Sequence, residues 1–239
     1  RIAAFILTIT GAYLSWYWYP AATGGTAQAN SLAVWSAAAS AWISDNSEYR
    51  LSIGKITHSW SQPDQIGLED VQLARSGQPQ ALVAKRVDLG LSLRQITEPR
   101  YFHSVTLRDG TLNVQPQAAA LPVQADVLQL SNMALQSNDN EWQLNAQQVT
   151  AGITPWRPLA GHLLGDNNQF QFSAGSMTLN GIPASKVLVQ GEQKQGQLLL
   201  NNFGADLAQG DLTGVASRAA DGSWRVDRLR LSGVRLQTP

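Results

Sequence analysis

Two spacings of apolar residues divide this chain. From Ile2 to Tyr19 the sequence is an almost unbroken apolar run, interrupted only by Thr8, Thr10, Gly11 and Ser15. Beyond residue 45 the spacing becomes two: Val87, Leu89, Leu91 and Leu93 alternate with Asp88, Gly90 and Ser92. Shorter alternating runs recur at Tyr49-Leu51-Ile53, Trp142-Leu144, Phe170-Phe172, Met177-Leu179, Val187-Val189, Leu198-Leu200 and Trp224-Val226, each bounded by Gly, Asn, Asp or Pro. Successive strand residues point to opposite faces, so every run predicts a strand with one apolar and one polar side. Between the two regimes, Leu32, Trp35, Ala39, Trp42 and Ile43 fall at helical spacing behind Ser31 as a cap, which predicts a helix to about Ser44 packed on the domain that follows. From residue 45 to 239 no window holds a convincing helix, though Trp156–Gly165, after Pro155, could form a short one.

One arrangement repeats inside the strand region: Ile66-Leu68-Val71-Leu73, Leu128-Leu130-Met133-Leu135 and Leu229-Leu231-Val234-Leu236. In each, the apolar parity flips halfway. A straight strand would send half of these residues to the wrong face, so the middle must be a tight turn or a bulge. A looser copy, Val105-Leu107 and Leu112-Val114, surrounds Asp109-Gly110, a dipeptide suited to a type I′ turn. A hairpin is expected there, with Leu107 facing Leu112 and Val105 facing Val114, in an antiparallel meander.

The N-terminal run contains 18 residues between Arg1 and Pro20, and no charge occurs from Ile2 to Ser44. At 1.5 Å per residue a helix of that length covers ~27 Å, close to the hydrocarbon thickness of a bilayer. Ile2, Phe5 and Leu7 belong to its apolar body, while Tyr13, Trp16, Tyr17, Trp18 and Tyr19 gather at the end where amphipathic rings favour the headgroup level. Arg1 marks the cytoplasmic side and sends the rest of the chain across. A cleaved leader ending at Ala27-Gln-Ala29 and a buried core helix are the alternatives; four consecutive bulky aromatics suit an uncleaved anchor better. The expected division is an anchor over residues 1–20, a linker and amphipathic helix over 21–44, and a β domain over 45–239. Residue 1 is Arg, and Leu231 to Leu236 still alternates, so the fold is expected to continue past both ends.

Composition changes this picture in one respect. Only 14% of residues are charged, 17 basic and 17 acidic, while 23 Gln and 12 Asn supply 35 neutral amides. The polar faces must be wetted largely by uncharged groups. A net charge of +0 provides no footprint for a phosphate backbone, which argues against a nucleic-acid partner. With Cys 0, disulfides, thiolate metal sites and a cysteine nucleophile are excluded. His58, His103 and His162 lack metal-ligand spacing, and no Gly-x-Ser-x-Gly elbow, phosphate loop or dinucleotide fingerprint occurs. Asp64, Glu69 and Asp70 are candidate carboxylates, but neighbours on a strand diverge, so a turn role suits Glu69 and Asp70 better. No enzyme, cofactor or metal is expected.

A membrane span, a helix, then Leu68-Glu-Asp-Val71, Ala84-Lys-Arg-Val-Asp-Leu-Gly-Leu-Ser-Leu-Arg94 and Val105-Thr-Leu-Arg-Asp-Gly-Thr-Leu-Asn-Val114, in this order, resemble the start of the AsmA-like proteins of Gram-negative inner membranes. Ser173-Ala-Gly-Ser176 and Asn202-Phe-Gly-Ala-Asp-Leu207 extend the resemblance through most of the chain. Such proteins are much longer, so the resemblance is to an N-terminal part. It implies an inner-membrane, single-pass protein with a periplasmic β-groove, associated with phospholipid traffic between membranes and with outer-membrane integrity.

Physical chemistry says what such a groove must do. Two acyl chains of about 14 methylenes each, at ~0.8 kcal/mol per CH₂, cost on the order of 20 kcal/mol to expose to water. A continuous apolar strip offsets that; a few contacts do not. The mainly β fold, a long twisted sheet curled into a groove, would provide the strip, with Val87, Leu89, Leu91, Leu93, Val105, Leu107, Leu112 and Val114 as the lipid-facing candidates. The alternatives are a closed core at these residues and, for function, a periplasmic assembly or adaptor protein that pairs through its sheet edges with periplasmic or outer-membrane proteins.

Overall fold

The computed structural model describes residues 40–233 except 41–42, 46, 60, 99, 116–119, 139–141 and 208–209. The membrane run, with Ile2, Phe5, Leu7, Tyr13, Trp16, Tyr17, Trp18 and Tyr19, lies outside the described residues, as do the linker and Trp35 and Trp42 of the helical stripe. Among the described residues no helix is long and apolar enough to cross a membrane. Ser40 and residues 43–45 are helical, and Ile43 is buried against the sheet.

Eleven strands form one sheet in chain order: β1 (Tyr49–Ser59), β2 (Gln62–Arg75), β3 (Leu82–Gly90), β4 (Tyr101–Val114), β5 (Gln124–Asn138), β6 (Gln143–Thr154), β7 (Asn168–Leu179), β8 (Ile182–Lys194), β9 (Gln197–Leu207), β10 (Gly210–Arg218) and β11 (Trp224–Ser232). Each described strand pairs with its sequence neighbours. The expected antiparallel meander needs one correction: β4 and β5 run parallel, Tyr101 opposite Gln124 and Val114 opposite Ser137. Parallel neighbours cannot be joined by a hairpin, so β5 begins on the same side of the sheet as β4, at the opposite end from Val114.

The expected hairpin at Arg108–Thr111 is the second correction. β4 runs straight through these residues. Asp109 has φ 54, and β3 pairs with both halves of the strand, Arg86 with Arg108 and Ala84 with Gly110. The left-handed conformation that Asp tolerates occurs in bulges as well as in I′ turns. Here both halves of the strand already have partners on either side and the register is unbroken across Asp109, so the chain kinks there and continues without inserting a residue. Asp70 (φ 53), Asn132 (φ 49), Gln148 (φ 54) and Lys186 (φ 48) occupy the same kind of position in β2, β5, β6 and β8. Register ties them together: Asp70 and Asp109 flank Lys85, Asp109 lies opposite Asn132, and the side-chain amide of Asn132 donates to Asp109 Oδ1 at 2.8 Å. The parity flip in the sequence is therefore a line of left-handed residues across the sheet, with the register unbroken at Asp70 and Asp109 and shifted where β5 meets β6 and β8 meets β9. True two-residue hairpins sit elsewhere, at Asn180-Gly181 and Gln195-Gly196, where both residues have positive φ.

Two further departures matter for the site. Residues 156–165 form turns with bridges Ala125 to Trp156 and Leu159 to His162, and not the short helix that the segment could have formed. The alternation at 87–93 ends with β3 at Gly90; Leu93 opens a short 3₁₀ turn, Leu93–Ile96, and is 85% exposed.

Candidate functional site

Residues paired across neighbouring strands share a face, so register alone traces apolar rows over the sheet. One row crosses all eleven strands: Ile56, Leu68, Val87, Leu107, Leu130, Ala151, Phe172, Val189, Phe203, Gly214 and Leu229. Beside it run Ile66, Leu89, Val105, Leu128, Ile153, Phe170, Gly191, Leu200, Ala216 and Val226. Beyond the left-handed residues, Leu51, Leu73, Leu82, Leu112, Leu135, Ala146, Met177 and Ala184 form another. Ten interstrand steps of about 4.8 Å make the strip roughly 48 Å long. The opposite face carries Asp88, Thr106, Gln129, Gly152, Gln171, Gln190 and Asn202 in register, with Thr106 Oγ1 donating to Gln129 Oε1 at 3.2 Å. The amide-rich composition is this wet face.

The apolar strip is covered at one end and bare at the other. Over β1–β5, Ile43, Leu121 and Val123 of the 115–123 crossover, and Trp156, Leu163 and Leu164 of the β6–β7 connection face the sheet across a cavity of about 200 Å³. Its wall is apolar almost throughout, and Arg100 is its one charged residue. Cavities of about 150 Å³ lined by Leu, Ile and Phe stay dry and take up apolar ligands. The indole N–H of Trp156 donates to the Leu163 carbonyl at 3.0 Å, which holds the covering loop in shape. Toward β11 nothing among the described residues covers the strip: Val226, Leu229 and Leu231 are each more than half exposed.

The candidate residues divide accordingly. Val87, Val105, Leu107 and Leu112 are buried beneath the cover and line the cavity, as does Leu89, which is half-buried. Leu91 lies just past β3; its N–H donates to the Asp64 carbonyl at 2.7 Å and its side chain still reaches the cavity wall. Val114 packs on the margin of the core. Leu93 does not join them, because the 3₁₀ turn carries it into solvent. The rows across β6–β11 were visible only as separate short alternating runs, since pairing register is needed to align Phe172, Val189, Phe203 and Leu229.

Polar clusters lie at the margins. Every strand ends on one of two rims, a Tyr101 rim and a Val114 rim. On the first, the Tyr101 hydroxyl donates to Asp126 Oδ1 at 2.5 Å, and His103 Nδ1 lies 3.1 Å from Asp126 Oδ2. The tyrosine's hydrogen bond, opposed by burial and aided by His103, holds Asp126 below its ordinary value. The same bond together with burial pushes the Tyr101 phenol up. The Arg94 guanidinium lies 3.7 Å over the Tyr101 ring and donates to Glu98 at 2.9 Å. On the wet face, Arg86 and Arg108 both donate to Asp88 at 2.8 Å. Burial raises that carboxyl, but the two guanidinium bonds outweigh it and bring it below the usual range. Among the described residues no group of three or more His, Cys, Asp or Glu is placed to hold a metal ion.

These features define a class: a single-sheet β scaffold with one continuous apolar face, part capped and part open. The chain belongs to the AsmA family. It is 51% identical over 199 residues to the AsmA family protein YicH of Escherichia coli (strain K12), a match covering 83% of this chain and 35% of that protein. The chain thus spans about a third of that relative's length. A shorter similarity, 61% over 46 residues, links 18% of this chain to 14% of a Streptomyces lividans protein named as a mercury resistance probable Hg transport protein. Soft metal ions are selected by thiolates, and this chain has Cys 0. No family model and no solved structure gives a significant match.

Proposed function

We propose that this chain is the membrane-anchored, periplasmic part of a scaffold that binds phospholipid acyl chains along its apolar face, conducts them between inner and outer membranes, and so supports outer-membrane integrity. The observation that carries the reading is the unbroken apolar row across eleven strands, next to a dry-lined cavity. A soluble protein needing only a core would not require its last three strands to continue the row into solvent, where Val226 and Leu229 stand exposed. The scaffold performs no chemistry in this reading; binding is all it contributes. Its anchor is the 1–20 run, as the family resemblance implies.

The test is lipid recovered with the protein. The full chain, purified from membranes in mild detergent, is expected to carry phospholipid detectable by mass spectrometry. Leu91→Glu is expected to lower the recovered lipid while keeping a cooperative melt, because residue 91 is half-buried and its carboxylate can reach water. Ser92→Glu, on the neighbouring position, is expected to change neither. Equal lipid on wild type and a folded Leu91→Glu variant argues against a lipid path past residue 91, and no lipid on the wild type overturns the function. A second reading, an adaptor that accepts a strand from another protein, is favoured by β11, whose Trp224, Val226, Leu229 and Leu231 are all about half exposed or more.

A further inference from the structure

We propose that the wet face of the sheet binds an uncharged, extended oligosaccharide in an open hollow of about 540 Å³ over β5–β9. This site lies on the face that the acyl path leaves free, so it stands or falls independently of the lipid reading. Gly152 lies inside β6, in unshifted register with Gln129 on one side and Gln171 on the other. A glycine inside a strand weakens it, and marks a bulge, a bend or a close approach of backbone or ligand. Gly67, Gly110, Gly175 and Gly214 answer to crowding: a Cβ at any of them would come closer than 3 Å to a neighbouring atom. A Cβ at Gly152 would meet nothing within 4 Å, and its φ is not left-handed. No other described glycine combines the two, so the fold itself does not require glycine at 152. What the missing side chain leaves is the floor of the hollow.

The walls fix the chemistry of the occupant. Gln129, Gln169, Gln171, Gln190 and Asn201 bring side-chain amides to the hollow, and Thr154 a hydroxyl. Among the described residues the amides of Gln169, Gln171, Gln190 and Asn201 form no hydrogen bond within the protein, and Gln129 uses only its Oε1, toward Thr106. Each amide has two N–H donors and a carbonyl acceptor, so the set donates and accepts at once, as sugar hydroxyls require. Glu192 is the one charged residue of the hollow; with no cation in the wall, phosphate and other anions are disfavoured. An added peptide strand is excluded, because β5–β9 are each paired along both edges. An acyl chain would strip water from the amides and return no hydrogen bond. Four interstrand steps of about 4.8 Å span roughly 19 Å, and each step is close to the length of one pyranose in an extended β-linked chain. Amides on successive strands therefore meet successive sugars.

The full chain in a sugar-free detergent is titrated by calorimetry with chitotetraose, whose acetamido groups donate and accept as side-chain amides do, and separately with maltotetraose and spermine. Chitotetraose is expected to bind, and maltotetraose, which is α-linked and coils, to bind about tenfold more weakly. Gly152→Val fills the floor with a residue that strands favour and whose Cβ has room. Its melt should be unchanged or higher, while chitotetraose affinity falls by about tenfold or more. Gln171→Ala/Gln190→Ala keeps the hollow, removes two amides, and should lose about tenfold as well. Glu192→Gln should leave binding intact, since the occupant is uncharged. No binding of chitotetraose by wild type, or equal affinity in a folded Gly152→Val protein, overturns the site. Maltotetraose binding as tightly as chitotetraose overturns it too, and spermine binding more tightly, with loss in Glu192→Gln, shows a cation site instead. Should Gly152→Val lose its cooperative melt, the Gln171→Ala/Gln190→Ala pair decides the same comparison. Recovered phospholipid should be the same in all three variants, so failure of this site leaves the lipid reading standing.

Discussion

A side chain at position 110 would run into the Val83 carbonyl and the Ala84 backbone, because β3 passes directly beside Gly110. Gly110→Ala is expected to cost on the order of 1–3 kcal/mol, as overpacking against backbone does, read as a lower denaturation midpoint at constant slope. Asp109, with φ 54, tests the neighbouring position differently. Asp109→Val should lose ~1–2 kcal/mol because a β-branched residue resists the left-handed region, and Asp109→Gly should be nearly neutral. Asp88 adds a pH signature. Its folded value is depressed, so its contribution is fully present above the unfolded value of about 3.9 and is lost as pH falls through the folded value. Melting temperature should fall below about pH 4 more steeply in wild type than in Asp88→Asn. At this scale the sequence was half legible. Asp109-Gly110 announced a left-handed residue, but a turn and a kink within a continuing strand share that conformation, and only the strands on either side decide between them.

Within single strands the apolar faces were readable because alternation is enforced residue by residue. The flips at Leu68/Val71 and Leu130/Met133 were readable for the same reason as a tight turn or a bulge; the register shifts at Leu130/Met133 and runs unbroken past Asp70. What alternation does not encode is direction: Gln115 to Val123 could have closed a loop between antiparallel strands, and the parallel pairing of β4 with β5 depends on partners distant in sequence. Nor does it encode where a strand stops, which is why Leu93 looked like a fourth inward residue. Burial along a row now separates two kinds of inward position. Leu107→Glu places a charge under the cover and is expected to cost about 3–5 kcal/mol, enough to abolish a cooperative melt. Leu200→Glu lies half-buried on the open part of the neighbouring row. It should cost about 1 kcal/mol, leave circular dichroism unchanged, and reduce recovered phospholipid. Loss of fold in both variants would mean that the strip is core from end to end.

For the molecule as a whole, the parallel β4–β5 pair acts as a change of parity. In a strict meander, connections alternate between two rims, and each rim's share is settled by counting strands from the first. Crossing once without turning back shifts the count for everything downstream. The β6–β7 connection, residues 155–167, therefore leaves from the rim where β4 begins; had β5 followed β4 by a hairpin, it would have left from the opposite one. Trp156 and the loop it holds would then stand a strand's length away from Tyr101. The same counting rule constrains rearrangement of the gene: strands can be gained or lost downstream only in twos without swapping rims. Excising β9 with β10 joins two ends on one rim, Lys194 to Trp224, and should leave a cooperative fold. Excising β10 alone joins opposite rims and should not, a contrast that thermal denaturation of the two deletions would read directly. A single non-reversing step thus makes this sheet divisible by pairs, and places its covering loop by arithmetic as much as by chemistry.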